Sequence, residues 1–514
     1  MFDLFIRGGS ILDGTGSPAI RANIGIKDGK IAYIGRCVFE AKEVIDASGL
    51  TVTPGFIDTH AHSDYSVLPF SDLTEKAEQG ITTVIGGNCG QSVAPLSRDV
   101  PRKADENGND TDVRRTVPTF LKAAEQTMLG VNHAFLIGHG NVREAVMGME
   151  NRPCTEEELE EMKRIVSDGL DAGAVGVSFG LFYTPGNYAD ERELIEIARV
   201  SAAKGKVITA HIRNEADHLI DAVTEFLHIA EVSGARAVFS HHKSFGSKEN
   251  WGKVNHSLRM IDEANENGMD VWLDVYPYTA SCTSLAARFV PQKYHAMGLA
   301  NVLSDRAMRD EIRKHDLAAF GEDLSWVLVT ACRPYPEYAG KRLNEIALLH
   351  GKDVYETVFD MIEKDGAAKA CYFTMCEEDV KTVMAHPRCM ICTDSNVACG
   401  SKSYHPRLRG TFPRALGKYV REEHVTTLPD MIRKMTSLPA SVFSLKGKGL
   451  IRKGMDADLC IFDADTIIDK SDYVSPTVKN EGLNYVIVGG KVAVTDGVYQ
   501  NVRNGKTVLN RADE

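Results

Sequence analysis

Residues 54–64, PGFIDTHAHSD, decide how this chain is read. A short apolar run, GFIDTH (55–60), follows Pro54 and closes on His60-Ala61-His62, the pattern of a buried strand carrying chemistry at its C-terminal end. Residues i and i+2 of a strand share a face, so two imidazoles at this spacing can grip one metal ion from one edge. An isolated HxH is equally readable as a pair of core or surface histidines, and position must decide.

Working outward, similar runs recur at 81–86, 133–138, 174–179, 206–211, 235–240, 269–276 and 388–394. Between them lie segments such as ERELIEIARVSAAKG (191–205) and SLRMIDEANENG (257–268), where apolar residues return every three or four positions and Gly closes the helix. This alternation predicts a TIM (β/α)8 barrel over residues 54–442. The interval 277–387 is far longer than a βα unit needs. It predicts an inserted helical subdomain, about 285–350, with WVLVTAC (326–332) as an extra strand. An insertion after strand seven falls on the catalytic face of a barrel, as a lid or specificity wall.

The ends read differently. LFIRGGSIL (4–12) and NIGIKDGKIAYIG (23–35), with Asp28-Gly29 as a hairpin turn, are short β elements, as are DADLCIFDAD (456–465) and residues 485–509. Neither end carries enough apolar surface for a core of its own, so residues 1–53 and 443–514 are expected to build one small β-sandwich together. The polar run 98–115 reads as a solvated loop.

The 514 residues are 43% hydrophobic and 25% charged, enough for at least one large core. With 59 Lys+Arg against 71 Asp+Glu, the net charge of -12 disfavours nucleic acid or an anionic membrane as partner and points to a small molecule. No apolar run approaches the roughly 20 residues of a spanning helix. The eleven cysteines are scattered and odd in number, as reduced thiols are. A cytoplasmic monomer or small homo-oligomer is the expectation.

Barrel topology brings strand C-termini around one axis. Cys89 falls just past strand two, His211 ends strand five, His241 follows strand six and Asp394 ends strand eight. With His60 and His62, six metal-competent side chains are expected at one mouth. Cys389 and Cys392 form a CxxC inside an apolar run and read as buried thiols. His242 reads as a packing residue, His139 as a structural histidine near the rim, and His133 as having no catalytic part.

PGFIDTHAHSD, CTDSN (392–396) and MDADLCIFD (455–463) resemble the amidohydrolase superfamily. Within it, GGNCGQSVAPL (86–96), SFGLFYTPG (178–186), SHHKSFG (240–246), DVYPYTASCTSL (274–285) and HPRLRGTFPR (405–414) are similar to the N-acyl-D-amino-acid deacylases. Cys89 is the most discriminating feature, because many binuclear relatives use a carboxylated lysine instead. The resemblance implies that Cys89, His211 and His241 hold a tightly bound Zn²⁺, with His60, His62 and Asp394 forming a second, weaker site. A thiolate with two imidazoles suits zinc and leaves a coordination position open.

Zinc lowers the pKa of water from about 15.7 towards about 7 and polarises a carbonyl. Asp394 is then placed to take a proton and return it to the departing amine. The resemblance assigns Lys243, Tyr276, Ser281 and Arg407 to the substrate carboxylate of a small N-acyl amino acid, and Tyr183 to the scissile amide. Arg288 reads first as a surface arginine, and otherwise as a cation for an acidic substrate side chain. The D configuration is implied by the resemblance alone. Two other readings stand beside zinc-dependent deacylation: a cyclic amidase of the dihydroorotase or hydantoinase type, and a barrel kept as a non-catalytic scaffold.

Overall fold

The computed structural model describes residues 1–103, 110–396 and 405–511. Eight strands form one parallel sheet: β1 (Phe56–Asp58), β2 (Ile81–Gly86), β3 (Asn132–Gly138), β4 (Gly176–Gly180), β5 (Val207–His211), β6 (Arg236–Phe239), β7 (Val271–Val275) and β8 (Cys389–Ile391). Their spatial order follows the chain, from β1 to β8. Strands β2 to β5 are buried at every position, which is why they read as largely apolar runs without the alternation of a half-exposed strand. Helices cover the outside. Glu191–Ala203, for example, starts where the Asp190 side chain accepts from Glu193 N, and buries Leu194, Ile197 and Ala198.

The seam between β8 and β1 closes differently from the other strand pairs. Asp394 N donates to His60 O at 2.8 Å and His62 N to Ser395 O at 3.1 Å, a single parallel bridge beyond the ends of both strands. Below it, Asp58 accepts from Thr393 N (2.8 Å) and Thr393 Oγ1 (2.7 Å). The buried ammonium of Lys76 donates to Asp58 Oδ2 (2.8 Å), Thr393 Oγ1 (2.6 Å) and Ser395 Oγ (2.9 Å). A buried ion pair with its remaining hydrogen-bonding capacity filled thus holds the seam where backbone pairing is sparse.

Nine strands from the two termini join in a second sheet. Phe2–Ile11 changes partner along its length, running parallel to Ala41–Asp46 and then to Thr51–Pro54. The latter pairs antiparallel with Leu459–Phe462 from the other end of the chain. Leu4, Ile6, Ile24, Leu459, Ile461 and Ile487 share one apolar cluster, so each terminus completes the other's core. The last segment also reaches the barrel floor, where Thr507 bridges His133 at the start of β3.

The insertion after β7 has its own three-stranded antiparallel sheet, with Lys369–Tyr372 between Ser281–Ser284 and Val327–Ala331. Its apolar cluster includes Leu285, Phe289, Val327, Val329, Phe359 and Tyr372. The unit therefore runs past the expected limit near 350, because the strand that completes its sheet comes last. Of the polar run 98–115, residues 98–103 and 110–115 hold a turn, an isolated bridge residue and the short 3-10 helix Val113–Arg115, all with exposed or half-buried side chains, and 104–109 lie outside the described residues. No helix among the described residues is long and apolar enough to cross a membrane.

Candidate metal centre and substrate cavity

Three of the six expected donors have left-handed backbone: Cys89 (φ 54°), His241 (φ 37°) and Asp394 (φ 47°). Non-glycine residues rarely occupy this region, at a cost on the order of 1–3 kcal/mol each. All three lie just beyond strand ends, at the turns where the chain leaves the sheet over the barrel mouth. Around Cys89 only glycine fits the next position, since a Cβ on Gly90 would lie 2.4 Å from Gly180 N.

The donors converge in two groups that share one sulfur. Cys89 Sγ lies 3.4 Å from His241 Nε2 and 3.7 Å from His211 Nδ1. It is also 3.2 Å from His60 Nε2. Asp394 Oδ1 sits 3.6 Å from His60 Nε2 and 3.4 Å from His62 Nε2. Within each group, Cys89–His211–His241 and His60–His62–Cys89–Asp394, the donor atoms all lie within 4.8 Å of one another.

The electrostatics of this cluster call for a cation. Burial holds His60, His211 and His241 well below the ordinary imidazole range, leaving neutral rings with lone pairs to offer. Burial also pushes the Cys89 thiol well up, helped by the Asp394 charge, so a thiolate there requires a positive partner. Asp394 is the exception: burial favours its neutral form, but Arg407 and the surrounding imidazoles hold it well below the usual carboxylate range. Arg407 Nη1 donates to Asp394 Oδ2 at 2.7 Å, leaving Oδ1 facing the histidines. Sulfur, imidazole nitrogen and carboxylate oxygen in this arrangement fit zinc.

Two carboxylates that the sequence reading did not single out support the donors. Glu215 Oε1 accepts from Lys243 Nζ at 2.6 Å and lies 3.1 Å from His241 Nδ1, while Oε2 is 3.5 Å from His211 Nε2. Asp274 Oδ1 accepts from His241 N at 2.6 Å, and Oδ2 from Thr59 Oγ1 at 2.9 Å. Burial raises the Asp274 carboxyl to about 7. Glu215 stands four residues beyond His211, a spacing that is a weak signal in the sequence; Asp274 lies inside an apolar strand with no such signal.

A cavity of about 700 Å³ opens over the cluster. All five residues expected to touch substrate line it: Tyr183, Lys243, Tyr276, Ser281 and Arg407. Arg407 and Lys243 both lie over the ring of Tyr276, at 5.0 Å and 5.7 Å from its centroid. The Tyr183 ring packs edge-on against His211, with its hydroxyl 3.2 Å from Thr283 Oγ1.

Arg288 departs from the first reading: it lines the cavity and is no surface residue. Its guanidinium sits 4.6 Å from the Phe245 ring centroid and 4.8 Å from that of Phe320. Among the described residues it makes no ion pair, and its buried Nε has no hydrogen-bond partner.

Other candidates lie elsewhere. His139 is buried against Glu193 at 2.7 Å, His242 against Ser257 at 2.7 Å, and His133 against Ser63 at 3.1 Å. Cys389 and Cys392 are buried thiols outside both donor groups.

A parallel eight-stranded barrel with a mixed sulfur, nitrogen and oxygen donor cluster at its C-terminal mouth defines a class of metal-dependent hydrolases, and the chain belongs to the amidohydrolase family, whose pattern matches residues 43–494. It is 38% identical over 491 residues to the N-acyl-D-glutamate deacylase of Alcaligenes xylosoxydans xylosoxydans, covering 95% of this chain and 93% of that one. It is 34% identical over 516 residues to the D-aminoacylase of the same organism, covering 99% and 98%. The crystal structure of N-acyl-D-glutamate deacylase from Bordetella bronchiseptica, complexed with zinc and a phosphonate mimic of the tetrahedral intermediate, matches with a TM-score of 0.85 at 36% identity, covering 99% of this chain and 100% of that one.

Proposed function

We propose that the protein is a zinc-dependent hydrolase that cleaves N-acyl-D-amino acids to a carboxylate and a free D-amino acid, and that it favours acidic side chains. The observation that carries this reading is a single cavity holding both a donor cluster shared through Cys89 and two cations converging on Tyr276. Similarity to enzymes named for N-acyl-D-glutamate and D-amino acid substrates supports the reaction and its stereochemistry.

Cys89, His211 and His241 would hold the tighter zinc; His60, His62 and Asp394, sharing Cys89, would hold a second. Zinc bound there supplies Lewis acidity and brings the ionisation of water towards neutral pH. Asp394 Oδ1 accepts the proton of the attacking water and returns it to the leaving amine. Arg407, Lys243, Tyr276 and Ser281 receive the substrate α-carboxylate, the planar Arg fork matching it in two hydrogen bonds. Tyr183 contacts the amide, and Arg288 takes the acidic side chain as the anion its aromatic surroundings lack.

A hydantoin has its α-carboxyl locked in the ring and offers no free carboxylate to the Arg407–Lys243 clamp, which disfavours a hydantoinase role. Dihydroorotate does carry a carboxylate, and there it is Cys89, in place of a carboxylated lysine, that disfavours the reading. Retention of the full donor cluster disfavours a non-catalytic scaffold. We read residues 1–53 with 443–514 as one domain and 54–442 as the catalytic domain carrying the insertion. A reducing cytoplasm, with the chain as a monomer or small homo-oligomer, suits a centre built on a thiolate.

Amine release from paired N-acetyl-D- and N-acetyl-L-amino acids, with hydantoin and dihydroorotate as controls, tests the reading. Turnover confined to the D series and greatest for D-glutamate or D-aspartate is expected; opening of the cyclic amides with none of the linear ones would overturn it.

A further inference from the structure

The cavity is divided by charge. Among the described residues every Lys and Arg lining it follows residue 240: Lys243, Arg288, Arg333, Lys369 and Arg407. The loops after β1, β2 and β4 supply instead Tyr65, Phe70, Gln91 and Phe182, none of them charged. The donor cluster draws on both stretches, His62 and Cys89 from the first and His241 and Asp394 from the second.

The uncharged half is aromatic and open. Tyr65 and Phe70 are 47% and 45% exposed, large rings left facing the cavity. The Tyr65 hydroxyl donates to Ser92 O at 3.2 Å, which fixes that ring at the wall. Phe182 stacks on His211 at 5.4 Å between centroids and 25° between planes, so this wall continues down to the donors themselves. Exposed aromatic surface beside a reaction centre gains most from an apolar ligand that covers it.

The two ends of an N-acyl amino acid differ in the same way. Its carboxylates belong on the cationic half, and the group attached to the scissile carbonyl must then leave the metal centre on the other side. A cavity of about 700 Å³ is in the range that takes drug-sized ligands, larger than an N-acetylated amino acid. We infer that Tyr65, Phe70 and Phe182 form an acyl subsite for apolar acyl groups longer than acetyl, arylacetyl groups among them. This inference rests on the deacylase reading above.

N-acetyl-, N-butanoyl-, N-hexanoyl- and N-phenylacetyl-D-glutamate, compared by kcat/KM in the zinc-loaded enzyme, test it. A fully buried methylene is worth roughly four-fold in binding, so a half-open wall gives a smaller gain per carbon. The expected ratio of phenylacetyl to acetyl substrate is about ten or more. Phe70→Ala should lower that ratio at least three-fold, and Phe70→Leu, which keeps an apolar side chain, should restore part of it. Because Phe70 is exposed, neither substitution opens a core cavity. Turnover of the acetyl substrate with a ratio near one, or a ratio unmoved by Phe70→Ala, removes the acyl subsite and leaves the deacylase reading standing. No turnover of any N-acyl-D-amino acid removes both.

Discussion

Glu215 Oε1 accepts from Lys243 Nζ at 2.6 Å, and this one contact ties the cation expected to bind substrate to the residues expected to bind metal. The same oxygen lies 3.1 Å from His241 Nδ1, and both side chains are almost fully buried. Removing the carboxylate charge leaves a buried ammonium without its counter-ion beside two donor imidazoles. Outer partners of metal ligands contribute about 10–100-fold to affinity. Glu215→Gln should therefore weaken zinc binding by that order, measured by competition with a chromophoric chelator; unchanged zinc affinity would disconnect Glu215 from the centre.

Cys89 and Asp394 should separate metal binding from proton transfer. Cys89→Ala removes the only sulfur, shared by both donor groups, and is expected to lose tightly bound zinc by elemental analysis. Asp394→Asn leaves the Cys89–His211–His241 group whole, so it should keep zinc while kcat falls about 10²–10⁴-fold. An active Cys89→Ala protein with full zinc content would refute the donor assignment.

Arg288 carries the prediction for substrate side chains. Hydrogen bonds to a charged group are worth about 1.5–3 kcal/mol, or roughly 10–100-fold. Arg288→Ala should reduce kcat/KM for N-acetyl-D-glutamate by that factor and spare N-acetyl-D-leucine or D-methionine. Equal losses on both kinds of substrate would mark Arg288 as a structural cation only.

Asp316, inside the insertion, makes stability depend on pH. Burial raises its carboxyl to about 7, opposed by His315 and Arg288, and Oδ2 has no hydrogen-bond partner. An unfolded Asp ionises near 3.9. The folded protein therefore retains a proton that the unfolded chain releases, and stability falls as pH rises from about 4 to about 7. Asp316→Asn should have little effect at pH 4 and stabilise the protein by on the order of 2–4 kcal/mol at pH 7.5, read from urea unfolding at both pH values. A difference that does not change with pH would contradict this.

The barrel was legible because its strands are buried on both faces, so GFIDTH and its seven counterparts announced themselves as apolar runs with polar chemistry at one end. Residues whose role depends on contacts remote in sequence were harder. Glu215 reads as one more loop acid until His211, His241 and Lys243 are seen around it. Arg288 reads as surface because the aromatic rings that enclose it, Phe245 and Phe320, come from separate parts of the chain. The left-handed turns at Cys89, His241 and Asp394 carry no signature: Asp and His are enriched among the few non-glycine residues that adopt this conformation, but most Asp and His residues do not, and cysteine does so rarely. The end of the insertion has no local mark, because the sheet pairing that defines it reaches out to Lys369–Tyr372.

The insertion's separate apolar cluster has a further consequence. Arg288 grows from that unit, whereas every proposed zinc donor grows from the barrel. Selectivity and reactivity are thus carried by different packing units. The insertion can drift, exchanging Arg288 for an apolar or smaller residue, while the hydrolytic apparatus remains intact. Lys243, bound through Glu215 to the metal ligands, has no such freedom. Directed evolution towards new D-amino acids should accordingly accumulate changes in 281–372 and leave 240–246 nearly untouched.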